Sequence, residues 1–478
     1  MDPNFYYGGG ANVSTMTPMV LAATLLAAVF LWVLPRKYKA VPILLITFLT
    51  PFEQQVLIGG AHMYVGRIIA MVGICRLLVT KRSSKEPLFV GGLSGIDIGF
   101  GLCAFATSAA VILRERAGGA VVNQVGGLID AVGLYFVFRC LIRDRNDVYR
   151  ILKTCAFTTA LLGACMSYEY LTHVNSFSYL AGHTIIPWVR EGRVRAQGPF
   201  GISITAGAFG ATLFPTFFVL WSNAKAKLWA SIGFVGASAM ALTSVSSTPV
   251  TGYLAGTLAL CLWPIRKKMR WVRWSIVASI VSLAILMKAP VWFLLARVNI
   301  SGGHAYDRAI LVDETVRHLS DWWLLGTSNN ASWGLYTWDA CNQFVYEGLT
   351  GGIVTLFFFI IILYQGFSAI GRCRRREKRS QEAWFFWCLG AALFAHVIVF
   401  LGVDYFDQIE TLWYMFLAML SSATLYVSLA KVSVADRTDG QSLGVMPASN
   451  QPALAMHGSQ PFGNPTSISM NVSLRGRS

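Results

Sequence analysis

Apolar residues in this chain fall in unbroken runs rather than alternating with polar ones. Thirteen runs lie near 18–34, 41–59, 63–80, 96–113, 127–142, 151–170, 200–221, 228–246, 250–264, 274–295, 349–369, 383–402 and 411–430. A hydrocarbon core about 30 Å thick needs roughly 20 helical residues to cross, so each run is a candidate span. The pattern predicts an all-α fold, a polytopic transmembrane bundle of about 12–13 spans. The second run is interrupted by Pro51 and Glu53-Gln54-Gln55 and reads as a broken or re-entrant segment. The first run has no basic stretch before it and is followed at once by Arg36-Lys37-Tyr38-Lys39. That order predicts a retained span rather than a cleaved signal peptide.

Two connections are long, about 171–199 and 297–348. In the second, Ala305–Leu319 places Ile310, Leu311, Val312, Val316 and Leu319 at three- and four-residue spacing, which predicts a short amphipathic helix resting on the membrane surface. Trp322, Trp323, Trp333, Tyr336 and Trp338 follow it. Beyond residue 436 the chain turns polar and rich in Ser, Gly, Pro, Gln and Asn. The predicted organisation is therefore a membrane domain over 1–435 and a disordered tail over 436–478.

Composition sharpens this picture. The chain is 55% hydrophobic and 13% charged, about half the charged share of a soluble domain. A soluble enzyme, a disordered protein and a nucleic-acid binder are thereby excluded. The net charge of +16 is unevenly placed. Alternate loops hold about 25 Lys and Arg, whereas the opposite set holds eight arginines: 114, 116, 190, 193, 195, 297, 308 and 317. Cytoplasmic loops retain cations, so the basic set is inside, the C-terminus is cytoplasmic, and the N-terminus is external if all thirteen spans are real. Nine cysteines show no CxxC or Cys/His metal spacing, and only Cys341 falls on the external side. The sequence thus predicts no disulfide framework, metal or cofactor.

Arginines stranded on the disfavoured side are the first chemical clue. Arg190, Arg193 and Arg195 lie within six positions, directly before Gly198-Pro199-Phe200 and a span, where a helix N-terminus would favour an anion. Arg308 opens the loop helix, and Arg317 lies further along it. Guanidinium forks suit phosphate oxygens, and a diphosphate takes more than one. Inside the spans, Glu53, Arg67, Asp97, Asp130, Arg139, Glu169 and Lys288 are ionisable, but most lie near a span end, where snorkelling accounts for them. An ion-coupled transporter concentrates such groups at mid-membrane. The run from Thr243 to Gly252 forms a hydroxyl-rich turn in which Ser247 and Thr248 are candidate sugar contacts, close helix packing being the alternative. No Walker loop, GxSxG or HExxH is present.

These features follow a known order: Arg195-Ala-Gln-Gly-Pro-Phe before a span, a Ser/Thr turn, and a large external loop. That loop runs from Arg308 through Trp322-Trp323-Leu-Leu-Gly326-Thr327 to Cys341-Asn342 and then Gly351-Gly352-Ile. The pattern resembles the O-antigen ligase and polymerase-like superfamily of bacterial envelope proteins, closely over about 190–370 and elsewhere in architecture alone. The resemblance implies a GT-C-like glycosyltransferase fold in the bacterial inner (cytoplasmic) membrane. It also implies a metal-free transfer of a glycan from polyprenyl diphosphate to an acceptor hydroxyl, on a glycan or lipid acceptor, at the periplasmic face during surface polysaccharide biosynthesis. Arg195 and Arg308 would grip the diphosphate, with Arg190, Arg193, Arg317 and Asn342 assisting. The family's His-Asn pair is Cys341-Asn342 here. A thiol replaces imidazole poorly as a base, which leaves Asp339 as the candidate, or Glu347 further on. His304 and His318 read as ordinary loop residues. Two other classes remain open: a transporter of polysaccharide or its lipid-linked intermediate, and a non-catalytic scaffold among other polysaccharide assembly proteins, with the loop tryptophans as its docking surface.

Overall fold

The computed structural model describes residues 13–83, 87–294, 305–335, 337–377 and 379–442. The N-terminal half contains α1 (Pro18–Val33), α2 (Ala40–Leu49), the hairpin β1 (Gln55–Ile58) and β2 (Ala61–Tyr64), α3 (Val65–Ser83), α4 (Gly95–Glu115), α5 (Gly118–Leu128), α6 (Leu134–Leu141) and α7 (Arg145–Thr172). Then come α8 (Ser178–Ala181), the hairpin β3 (Trp188–Arg190) and β4 (Arg193–Arg195), α9 (Ser203–Trp221), α10 (Lys227–Thr243), α11 (Ser247–Cys261) and α12 (Met269–Leu286). The last elements are α13 (Ala305–Arg317), α14 (Leu319–Trp322), α15 (Gln343–Arg376), α16 (Ser380–Phe400) and α17 (Asp407–Ser442). Among the described residues, eight helices are long and apolar enough to cross a membrane. The chain is a multi-pass helical membrane protein.

Its centre is α9, 89% of whose most apolar stretch is buried, flanked by α7, α10, α11 and α16. Small residues make that position possible. A Cβ on Gly210 would come within 2.9 Å of the Ala237 carbonyl, and one on Gly163 within 2.7 Å of the Gly236 carbonyl, where α7 crosses α10. Thr212 returns its hydroxyl to the Ala208 carbonyl at 2.9 Å, which satisfies it within the helix. At the edge of the bundle, α12 buries none of its apolar stretch.

Several expectations are corrected. The second apolar run yields only the ten-residue α2, because the chain turns at Pro51 into the β1–β2 hairpin, whose Gly59 and Gly60 adopt φ of 58° and 84°. The polar residues there are used: Gln54 accepts from the Thr17 amide at 2.9 Å and donates to the Ala181 carbonyl at 3.2 Å. The loop helix forms over Ala305–Arg317, and part of its apolar face packs on protein while Val316 and Leu319 stay exposed. Leu311 is buried with Trp322, Val345 and Leu349 in a small second core. The last helix runs to Ser442, past the predicted start of the tail, and the compact unit ends at Lys431. Residues 443–478, His304 and Tyr336 lie outside the described residues.

The intramembrane ion pair Asp97–Arg139 does not snorkel. Both side chains are fully buried, and Arg139 donates to Asp97 Oδ1 at 3.2 Å, to Ser421 and Ser422 at 3.1 Å, and to the Gly92 carbonyl at 2.9 Å. Tyr135 donates to the same carboxylate at 2.5 Å. Every polar atom of this buried knot has a partner, the condition under which such a pair is tolerated, and it ties α4, α6 and α17 together.

Candidate functional site

The Arg190–Arg195 segment is a β-hairpin. Trp188 pairs with Arg195, Val189 with Val194, and Arg190 with Arg193. The two-residue turn Glu191-Gly192 has positive φ at both positions, 50° and 73°, the geometry that joins twisted strands tightly. Because side chains alternate across a strand, this register puts Arg190, Arg193 and Arg195 on one face with Trp188. On the other face Val194 is buried.

Behind the hairpin, Glu169 in the last turn of α7 fixes the chain. Its Oε2 accepts from the Gln197 amide at 3.2 Å and the Gly198 amide at 2.8 Å, and its Oε1 from Asn175 Nδ2 at 3.0 Å. Asn175 also donates to the Gly198 carbonyl at 2.8 Å, and the Ala196 amide donates to the Thr243 carbonyl at 3.1 Å. The carboxylate that read as a snorkelling span-end residue is a fully buried anchor for the strand bearing Arg195. The helix beyond begins only at Ser203, and the Gly201 amide is already bonded to Asp407 at 2.9 Å, so Gly198-Pro199 is an irregular link rather than a helix N-terminus.

Arg308 reaches the same locality from α13. Burial lowers the pKa of Arg195, and repulsion from Arg190 and Arg308 lowers it further. Burial likewise lowers that of Arg308, opposed by the carboxylates of Asp339 and Asp307 and reinforced by Arg190. Among the described residues, Arg190, Arg193, Arg195 and Arg308 have neither a hydrogen bond nor an ion pair through their side chains. Arg195 Nε is buried without a partner. Arg190, Arg195 and Arg308, mutually repelling and without an ion pair, form an electrostatic field that Asp339 beside Arg308 offsets only in part and that an external anion would relieve, with the exposed Arg193 at its edge.

The remaining candidates separate. Arg317 is exposed and paired with Asp313 at 2.8 Å on its own helix. Arg114 donates to the carbonyls of Leu325 and Thr350, each at 3.0 Å, and so has a structural role. It clamps the kink at Gly352, whose φ of 75° breaks α15 and which packs against the Leu324 carbonyl, while Gly326, with φ of 73°, packs against Leu349 and Thr350. The Ile353 amide donates to the Trp323 carbonyl at 2.8 Å and the Thr327 amide to the Leu349 carbonyl at 2.7 Å, so the Leu-Leu-Gly and Gly-Gly segments interlock. Asn342 caps α15, its Oδ1 accepting from the Phe344 amide at 2.9 Å, and its Nδ2 donates to the Leu401 carbonyl at 3.4 Å. Thr248 is buried against Gly402, and Ser244 and Thr251 spend their hydroxyls on backbone carbonyls, the pattern of helix packing. Ser247 is half-buried, with its hydroxyl unpaired among the described residues.

Asp339 lies beside Arg308 and accepts a hydrogen bond from the Cys341 thiol at 2.9 Å. Burial and Asp339 together push the Cys341 pKa up, so this side chain stays a neutral thiol and serves as neither base nor nucleophile. Glu347 accepts from Gln343 at 2.8 Å on the first turn of α15. His318 stacks on Trp333 at 4.7 Å. Among the described residues no group of His, Cys, Asp and Glu has metal-binding geometry.

No family model and no curated protein matches this chain.

Sequence reasoning missed Asp404. It lies in the tight connection between α16 and α17, which is tied to the α15 cap through Asn342 and through Gln343 Oε1, the latter accepting from the Tyr405 amide at 2.6 Å. A single acid in an otherwise apolar connection carries no motif. Only the fold brings it to the loop of Asp339 and Cys341.

Proposed function

We propose that this protein is a membrane glycosyltransferase of O-antigen ligase or polymerase type. It moves a glycan from a polyprenyl-diphosphate carrier to an acceptor hydroxyl at the membrane face opposite the basic loops. The observation that carries the reading is the set of partnerless, partly buried guanidinium groups on two separate loops, centred on Arg195 and Arg308. A diphosphate ester is the membrane-borne anion best suited to them: it offers several oxygens to planar forks, and its charge at the bridging oxygen grows as the glycosidic carbon departs. A preorganised donor aimed at such developing charge is worth roughly 2.7–4 kcal/mol. In this reading the protein resides in the bacterial inner membrane with its C-terminus in the cytoplasm. Membrane lipids surround it, and the acceptor is a glycan or lipid hydroxyl.

The test is transfer in a reconstituted bilayer. Wild-type protein, Arg195→Ala and Arg308→Ala are supplied with a polyprenyl-diphosphate glycan and an acceptor, and product is resolved by size. Each variant should insert normally and lose transfer by at least about 100-fold. Transfer at wild-type rate in both variants removes the reading. A transport role draws on a different observation, the electrostatic coupling of Asp404, Glu410 and Asp130 from the loop into the spans. Movement of labelled donor across the bilayer without product would favour that role.

A further inference from the structure

Transfer needs a second group besides the anion grip: one that takes the proton from the attacking hydroxyl. Asp339, Asp404, Glu347 and Glu410 interact electrostatically with one another around the site. Three of these carboxylates are engaged. Asp339 takes the Cys341 thiol, Glu347 takes the Gln343 amide at 2.8 Å, and Glu410 takes the Tyr414 hydroxyl. Two further acids in the vicinity are also committed, Asp407 to the Gly201 amide and Asp130 to Arg67 at 2.5 Å. Asp404 differs: among the described residues its carboxylate takes no side chain and no other residue's amide, only its own backbone amide. It also stands at the junction of the cluster. It is coupled to Asp339 and Cys341 on the arginine side, and to Tyr346 and Glu410 on the other.

Resting on the transferase reading above, we propose that Asp404, rather than Asp339, is the general base that activates the acceptor hydroxyl. As the acceptor oxygen bonds to the anomeric carbon, its proton passes to the Asp404 carboxylate. The bond from that carbon to the diphosphate oxygen breaks, and the leaving polyprenyl diphosphate keeps the electron pair, its charge held by Arg195 and Arg308. Atoms and charge balance with donor and acceptor alone. The surroundings tune this carboxylate for proton transfer. Burial, with Asp339 adding to it, raises the Asp404 pKa to about 6, close to an operating pH near neutrality. Asp339 is the charged neighbour that raises this value, and the Asp404 backbone amide, donating to the carboxylate, opposes it; Cys341, Tyr346 and Glu410 are the other titratable groups that face it, and Arg308 lies one contact further on through Asp339.

The experiment compares wild-type protein with Asp404→Asn and Asp339→Asn in nanodiscs, measuring both binding of a polyprenyl diphosphate and the rate of transfer. Asp404→Asn should bind the diphosphate within about twofold of wild type and lose transfer by 100-fold or more, whereas Asp339→Asn should lose no more than about tenfold. Transfer by Asp404→Asn within threefold of wild type overturns the proposal. So does a loss confined to Asp339→Asn. Should Asp404→Asn fail to fold, the wild-type pH profile decides: an acid limb with its midpoint near 6 is expected, and a flat rate from about pH 5 to 7.5 overturns it. Failure of the wild-type protein both to bind the diphosphate and to transfer is a distinct result, which overturns the functional reading and this proposal with it.

Discussion

Replacing Glu169 with glutamine tests whether the anchored strand is what makes Arg195 a ligand. The carboxylate accepts three N–H groups, from Gln197, Gly198 and Asn175, at 2.8–3.2 Å. An amide keeps one oxygen and presents an NH2 where the second oxygen stood. If the remaining oxygen serves Gln197 and Gly198, that NH2 faces Asn175 Nδ2. Asn175 cannot simply flip, because its Oδ1 accepts from the Phe177 amide at 2.8 Å and its Nδ2 donates to the Gly198 carbonyl. One hydrogen bond to a charged group is therefore lost, a donor meets a donor, and the other two bonds become neutral ones. With charged hydrogen bonds worth roughly 1.5–3 kcal/mol each, the local cost is about 3 kcal/mol. If that order is what holds Arg195 in place, diphosphate affinity should fall by about 100-fold, at 1.4 kcal/mol per factor of ten. The assay is titration of a fluorescent polyprenyl diphosphate into protein in nanodiscs. Arg195→Ala serves as the full-loss reference, and the double variant measures coupling. Undiminished affinity in Glu169→Gln beside a large loss in Arg195→Ala would refute the reasoning, as would fully additive losses in the double variant.

Three further predictions concern the frame around the site. Arg114→Ala frees the carbonyls of Leu325 and Thr350 at the Gly352 kink and should destabilise the protein by about 2–4 kcal/mol, read as a lower unfolding midpoint in detergent. Asp97→Asn leaves Arg139 buried without its counter-charge and should cost about 3–5 kcal/mol, whereas removal of both charges together should cost less than the sum of the single losses; a double loss equal to that sum would exclude the pair as the cause. Asp404 has a pKa of about 6 against an ordinary 3.8, so between those values the folded protein holds a proton that the unfolded chain has lost. Stability should fall as pH rises through that window. Asp404→Asn should therefore unfold later than wild type at pH 7.5 and at the same temperature below about pH 4; the reverse order at pH 7.5 would contradict the burial argument.

How far the sequence carries depends on the length of the signal. Long apolar runs announce spans, and the loop helix shows in the spacing of Leu311 and its neighbours. The same spacing does not say what a helix face rests on, and here Trp322, Val345 and Leu349, distant in the chain, decide it. The β3–β4 hairpin was legible in principle, since Val189 and Val194 alternate with polar residues around Glu-Gly. With three residues per strand and no Asn-Gly or Asp-Gly, the signal is weak. Motif residues proved to be of two kinds. Gly326, Gly352 and Asn342 shape the backbone, through positive φ or a helix cap. Arg195 and Arg308 have no structural partner of their own. Asp404 and Glu169 stayed hidden because their roles arise from segments far apart in sequence, one coupling to Asp339 and the other anchoring Gln197 and Gly198.

The central claim is that Arg195 and Arg308 grip a lipid-borne diphosphate together. The most direct measurement is equilibrium binding of three lipids sharing one chain to the purified protein in nanodiscs: polyprenyl diphosphate, polyprenyl monophosphate and polyprenol. The diphosphate should bind tightest, with each of Arg195→Ala and Arg308→Ala lowering that affinity at least about tenfold and leaving polyprenol binding unchanged. Equal affinity for diphosphate and polyprenol, or diphosphate binding indifferent to both substitutions, would contradict it.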